Sequence, residues 1–224
     1  MESQWKLVEG GNVIDCTGAS IREQCDVVIR DNLIFSVGAV PEGPDIPPRD
    51  KMFRVDAKGK TVMPGLIDIH CHMTYGEARY EAEIDLYSSP ERRTLIAAAN
   101  ARKVLRSGVT SISQPGGSYF IGVGIREGIK DGLVQGPRMT TAGRYLTTSN
   151  GLTDWYPDSV GVPEGSIGTL TNTLDRMRDE IRHQVKNGVD FIKLADSPFG
   201  EYQSFANDEM KMIADFSDLD GFHG

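Results

Sequence analysis

The sequence is short of the residues that would mark a secreted, membrane-bound or nucleic-acid-binding protein. Cysteine occurs three times in 224 residues, at Cys16, Cys25 and Cys71, with no CxxC pair and no even count to close a disulfide framework. That usage fits a reducing compartment and predicts a cytoplasmic address. No run of about 18 apolar residues occurs, and the opening MESQWKLVEGG carries Glu2 without an apolar core of signal-peptide length. The chain is therefore read as neither secreted nor membrane-spanning. Lys and Arg number 24 against 32 Asp and Glu, a net charge of -8. A phosphate-binding surface needs clustered Lys and Arg, so nucleic acid is set aside as a partner. Histidine is scarce as well, with four residues in all, and two of them stand two apart.

What is present is an ordinary globular mixture, 39% hydrophobic and 25% charged, with nothing to suggest disorder. Residues 1–61 read as short strands in the segments KLVEGGNVIDCTG, DVVIRDNLIFSVG and FRVDAKGKTVMPG. Asp31-Asn32 and Lys58-Gly59-Lys60 look like hairpin turns between alternating apolar runs, which predicts a small antiparallel β module. The Pro-rich stretch from Pro41 to Pro48 joins the second segment to the third and is placed on the surface. Over residues 62–224 the texture changes to strands alternating with helical patterns, the signature of βαβ units and a parallel sheet.

Four such units are expected. TVMPGLIDIH forms the first strand; a helix runs from Pro90 to Arg106 with Leu95, Ala98, Ala99 and Val104 toward one face. VTSIS and the helix IGVGIREGIKDG follow, then the strand RMTTAGRY. A polar loop over about Thr147 to Gly168 leads to a helix from Thr169 to Asn187, and DFIKLA is the fourth strand. Asn207-Asp208-Glu209 caps a short last helix that loses its apolar period from Asp215. A (β/α)8 barrel needs eight such units, so the fold class expected is α/β, half of such a barrel.

The sharpest chemical signal is Pro64-Gly65-Leu66-Ile67-Asp68-Ile69-His70-Cys71-His72. On a strand, side chains two apart project from one face, so His70 and His72 point together and Cys71 points away. Two imidazoles at a strand's end are a ready metal pair, and Asp68, one step deeper on that face, could orient them. An HxH alone is more often two unrelated histidines. A second signal is Lys193 in DFIKLA, which shares its strand face with Phe191 and Ala195. An unpaired buried ammonium is costly, and a neutral amine can add carbon dioxide to form a carbamate. The alternative is a lysine reaching water from the strand's end, and pattern alone leaves the two even.

The stretch VMPGLIDIHCH resembles the first barrel strand of the amidohydrolase superfamily. The phrase GLVQGPRMTTAGR is similar to the GxxxGPR element of imidazolonepropionase-like and prolidase-like members, and the resemblance covers nearly the whole chain. It implies a β-sandwich-like module before a metal-dependent hydrolase barrel. His70 and His72 would ligate a divalent metal, zinc by expectation, as one or two ions. Lys193 would be the bridging carbamate. The activity implied is hydrolysis of an amide, dipeptide or cyclic amide bond by a metal-activated water, on a small-molecule substrate, with homo-oligomerisation left open.

The family's later histidines and its general-base aspartate match no position here, so no catalytic base is assigned. His183 reads as a surface helix residue and His223 is the penultimate residue; neither is taken as a ligand. Relatives often read GGHGD where this chain has Asn150-Gly151-Leu152-Thr153-Asp154, which bears on substrate preference and not on the metal pair. Tyr119, Tyr145, Trp155 and Tyr156 are candidates to line a substrate pocket. The competing reading is a catalytically incomplete fragment, or a scaffold relative that keeps the fold without chemistry.

Overall fold

The computed structural model describes residues 3–197 and 202–219, and the chain divides into two units, Met1–Pro64 and Gly65–Gly224. His223 and the last glycines lie outside the described residues.

The first unit is one five-stranded sheet. Strands β1 (Trp5–Val13), β2 (Arg22–Arg30) and β3 (Leu33–Gly38) run antiparallel in sequence, with Asp31 in the left-handed region (φ 56°) at the β2–β3 turn. β4 (Phe53–Asp56) and β5 (Thr61–Val62) both pair with β1 in parallel. The expected antiparallel module is thus a mixed sheet, and Lys58-Gly59 is not a hairpin turn. It carries the chain from β4 to β5 along the same neighbour without reversing it. The route from β3 to β4 passes over the Pro-rich stretch, which is half-buried at Ile46 and Pro47 and largely exposed elsewhere. Leu7, Val28 and Met52 form one apolar cluster of this unit, and Val13, Cys25 and Val27 another.

The second unit alternates strands and helices with parallel pairing. β6 (Leu66–Asp68), β7 (Val109–Gln114) and β8 (Arg138–Thr141) form one parallel sheet in that order. β9 (Tyr145–Thr147) pairs in parallel with β10 (Gly168–Leu170) and, through Leu146, makes a single parallel bridge to Leu194. Gly65 is required where it stands: a Cβ there would lie 2.1 Å from Thr110 Oγ1, so only a bare backbone lets β6 enter beside β7.

The helices follow the capping rules. α2 (Pro90–Arg106) has the predicted bounds, because Ser89 accepts from the Arg92 amide, Pro90 opens the first turn, and Lys103 and Arg106 sit in the last. Its buried stripe is Arg93, Ala97 and Ala101, at i, i+4 and i+8, whereas Leu95 is 73% exposed. The face expected from Leu95 is therefore rotated outward, and a buried arginine takes a place on the inner one. α3 (Ile121–Lys130) closes over β7 and β8, burying Ile121 and Ile125 with Ile112 and Met139; each such side chain contributes about 1.5–3 kcal/mol.

α4 (Leu174–Lys186) begins five residues later than expected, since β10 occupies Gly168–Leu170 and the Thr173 hydroxyl caps the helix. The segment DFIKLA does not form a ladder as predicted. Among the described residues, Asp190, Leu146 and Ala195 backbone bonds hold it along β8 and β9 on one side, and a parallel strand is ordinarily paired or covered on both sides. α1 (Glu81–Asp85) has no counterpart in the expected elements, and α5 (Asn207–Leu219) runs past Asp215, where the apolar period fades. On β6 and just after it, Leu66, Ile67 and Ile69 are 51%, 70% and 78% exposed. No helix among the described residues is long and apolar enough to cross a membrane.

Candidate metal centre

His70 and His72 lie just beyond the end of β6, where the chain still follows β7: the Cys71 amide bonds Ser113 O at 3.0 Å and the Met73 amide bonds the buried Gln114 Oε1 at 3.0 Å. Asp68 Oδ1 accepts from the His70 amide at 3.0 Å, so this carboxylate sets the backbone of the segment and not an imidazole. The strand-like course brings both rings to one side. Their Nε2 atoms stand 3.2 Å apart, with ring centroids at 5.1 Å and planes at 70°.

His72 Nδ1 is 2.8 Å from Gly116 O. A carbonyl only accepts, so Nδ1 carries the proton and, in the neutral ring, Nε2 carries the lone pair. Two nitrogens bound to one tetrahedral cation at about 2.0–2.1 Å each would be separated by about 3.3 Å. The observed Nε2 separation fits that span, and the donor set is one that zinc accepts. Gly116 makes this approach possible, because a Cβ there would meet Tyr145 Cδ1 at 2.9 Å and His72 Cε1 at 3.7 Å.

Burial pushes the His72 pKa down, and the charges of His70 and Lys193 act in the same direction against the Gly116 bond and Glu81. A neutral imidazole, the form that binds metals, is thus favoured. Lys193 is half-buried and close enough for its charge to act on His72, and its ammonium has no hydrogen bond or ion pair among the described residues. No group of three or more His, Cys, Asp and Glu side chains gathers as a ligand set among the described residues.

Of the aromatic candidates, Tyr145 is 4% exposed and packs with Ile167, Ala195, Tyr75 and Leu152. Tyr156 donates to Asp85 Oδ2 at 3.1 Å. Tyr119 is half-buried and Trp155 is 46% exposed; neither shares a hydrogen bond or ring contact with the histidine pair among the described residues. His183 stands on α4, its ring against Phe120 at 5.1 Å, remote in sequence and bonding from the pair.

Sequence reasoning missed Tyr75, Glu81, Asp85 and Arg93. Tyr75 packs its ring on His72, with centroids at 5.3 Å, and donates to Glu81 Oε1 at 2.9 Å. Arg93 is 1% exposed, donates to Ser118 Oγ and Gly165 O, and lies 3.9 Å from Asp85. A buried arginine on a helix stripe leaves no mark in an apolar pattern, and a five-residue helix has too few positions to show a period.

The amidohydrolase family model matches residues 61–220. Ochratoxinase of Aspergillus niger is 23% identical over 96% of this chain and 48% of its own length. Dihydroorotase of Clostridioides difficile is 29% identical over 44% of this chain and 23% of its own. A prolidase crystallised with N-methylphosphonate-L-proline superposes with a TM-score of 0.80 at 24% identity, over 96% of this chain and 54% of that one. The chain spans about half the length of ochratoxinase and of this prolidase.

Proposed function

The chain belongs to the amidohydrolase family, and we propose that it serves hydrolysis of a carbon–nitrogen bond, in an amide, dipeptide or cyclic amide, with His70 and His72 as ligands of a divalent cation. The observation that carries this reading is the 3.2 Å convergence of the two Nε2 atoms, with the His72 proton committed to Gly116 O. A divalent cation held there supplies Lewis acidity that polarises the scissile carbonyl and acidifies water. Burial favours the neutral form of His72, and the hydrogen bond at Nδ1 sets its tautomer. Zinc suits two imidazoles, as does iron.

Lys193 is the third group this chain contributes. In its neutral form the amine nitrogen adds to carbon dioxide, an N–C bond forms, one proton leaves to solvent, and the resulting carbamate is an anion able to bridge two cations. Its half-burial, the absence of a hydrogen bond or ion pair to it among the described residues, and its electrostatic reach to His72 support this assignment. The parallel strands of the second unit are read as part of a (β/α)8 barrel, and the first unit as one sheet of a β-sandwich-like module. Relatives that carry the names ochratoxinase, prolidase and dihydroorotase all support a substrate with a carbonyl bonded to nitrogen.

The test is an assay of zinc-loaded protein from its natural source on N-acyl amino acids, dipeptides and cyclic amides. Turnover lost in His70→Ala and His72→Ala is expected; no turnover across the panel, or turnover indifferent to both substitutions, contradicts the reading.

A further inference from the structure

The helix α1 plays no part in the metal reading, yet two of its acidic side chains are each met by a tyrosine hydroxyl. Tyr75 donates to Glu81 Oε1 at 2.9 Å and Tyr156 donates to Asp85 Oδ2 at 3.1 Å. Positions 81 and 85 are one turn apart and share a face. The Asp85 end is anchored: its side chain and that of Arg93 are closed to solvent and 3.9 Å apart, and Arg93 holds Ser118 and Gly165. The Glu81 end turns to the histidines. Tyr75 rests on His72 with the rings tilted at 49°, and it packs beside Tyr145, the side chain that fills the space next to Gly116.

His72 is therefore contacted at two points, at Nδ1 by the Gly116 carbonyl and at its ring by Tyr75. Tyr75 in turn is held by Glu81. The Tyr75 hydroxyl donates to Glu81 Oε1 while its ring packs in the cluster of Tyr145, Ile167 and Ala195. Glu81 also lies within electrostatic reach of His72 itself. Its orientation is set by the Tyr75 bond, since its Oε1 accepts from a hydroxyl whose ring packs against the Tyr145 cluster.

We infer that Glu81, acting through Tyr75, is a positioning residue for the His70–His72 pair, steadying the His72 ring and setting a fixed negative charge within reach of a bound divalent cation. The inference rests on the metal reading proposed above and adds to it residues that lie on a separate element. Groups behind the ligands that orient them and compensate charge change metal affinity about 10–100-fold when removed. Glu77 provides the contrast: an acid of the same segment, 94% exposed, paired with Lys103 on the surface.

The test is a cobalt(II) titration of the 224-residue chain, read by visible absorption and by competition with a chromophoric chelator. Glu81→Gln and Tyr75→Phe are each expected to weaken binding about 10–100-fold and to alter the cobalt spectrum while the far-ultraviolet circular dichroism is kept. The double variant should be no weaker than the more severe single one, because the two act in series, and Glu77→Gln should bind as the wild type does. Wild-type affinity and spectrum in Tyr75→Phe, which keeps the ring and so decides the matter if Glu81→Gln fails to fold, would overturn the inference while leaving the metal reading intact. Equal losses in Glu77→Gln would also overturn it, as an effect of bulk charge. A wild-type chain that binds no cobalt, or binds it equally after His70→Ala and His72→Ala, would remove the metal reading and this inference with it.

Discussion

His72 donates its Nδ1 proton to the Gly116 carbonyl at 2.8 Å, and this one bond decides which nitrogen of the ring keeps a lone pair facing His70. The bond depends on a residue without a side chain. A Cβ at Gly116 would lie 2.9 Å from Tyr145 Cδ1, so Gly116→Ala must move either the tyrosine or the carbonyl. The expected result is a loss of zinc affinity of about tenfold with a stability cost of about 1–3 kcal/mol, measured by chelator competition and urea denaturation. Wild-type affinity in this variant would show that the carbonyl does not orient the ring.

The ion pair behind α1 should matter more to folding than to metal. Arg93 is 1% exposed and faces Asp85 across 3.9 Å while donating to Ser118 and Gly165. Arg93→Leu leaves a buried carboxylate without its cation and is expected to cost about 3–5 kcal/mol in urea unfolding. A cost below about 1 kcal/mol, the range of exposed pairs, would contradict this placement.

Asp85 predicts a pH dependence with a definite sign. Burial, then the Glu81 charge, pushes its pKa up from 3.8 to about 6, against the Tyr156 hydrogen bond and the Arg93 charge. The folded value lies above the unfolded one, so the fold favours the protonated form. Its contribution is fully present below about pH 4 and fades as the pH rises through the folded value. Between pH 8 and pH 5 the wild type should gain on the order of 1 kcal/mol relative to Asp85→Asn, whatever the absolute stability of that variant. Parallel pH profiles for the two proteins would sink the assignment.

For Lys193 the discriminating quantity is how many metal ions the protein holds. Native mass spectrometry of the zinc-loaded wild type is expected to show a second ion whose occupancy rises with added bicarbonate. Lys193→Ala should lose that ion and the bicarbonate response while keeping the one bound by the histidines. Two-metal occupancy unchanged in Lys193→Ala would rule out the carbamate.

Local signals survived into the structure where they were self-contained. α2 has its predicted bounds because Ser89, Pro90 and the final Ser107-Gly108 act within one turn of the helix. The geometry of the histidine pair, by contrast, rests on partners far along the chain, Ser113, Gln114 and Gly116, which no short motif announces. The segment DFIKLA has strand composition, yet among the described residues it is held on one side and makes one bridge, Leu146 to Leu194. The mixed sheet of the first unit was hidden for a related reason. Alternation specifies a strand but not its direction, and β4 and β5 lie parallel to β1 where a hairpin was expected. Arg93 and Glu81 were invisible because a buried charge is specified by its partners in space and not by its neighbours in sequence.

The central claim, that His70 and His72 together hold a divalent cation, is tested most directly by X-ray absorption at the zinc edge on the zinc-loaded chain. The account predicts imidazole scattering with nitrogens at about 2.0–2.1 Å that loses one imidazole in His72→Ala. A spectrum without imidazole scattering, or one that both His70→Ala and His72→Ala leave unchanged, would contradict it.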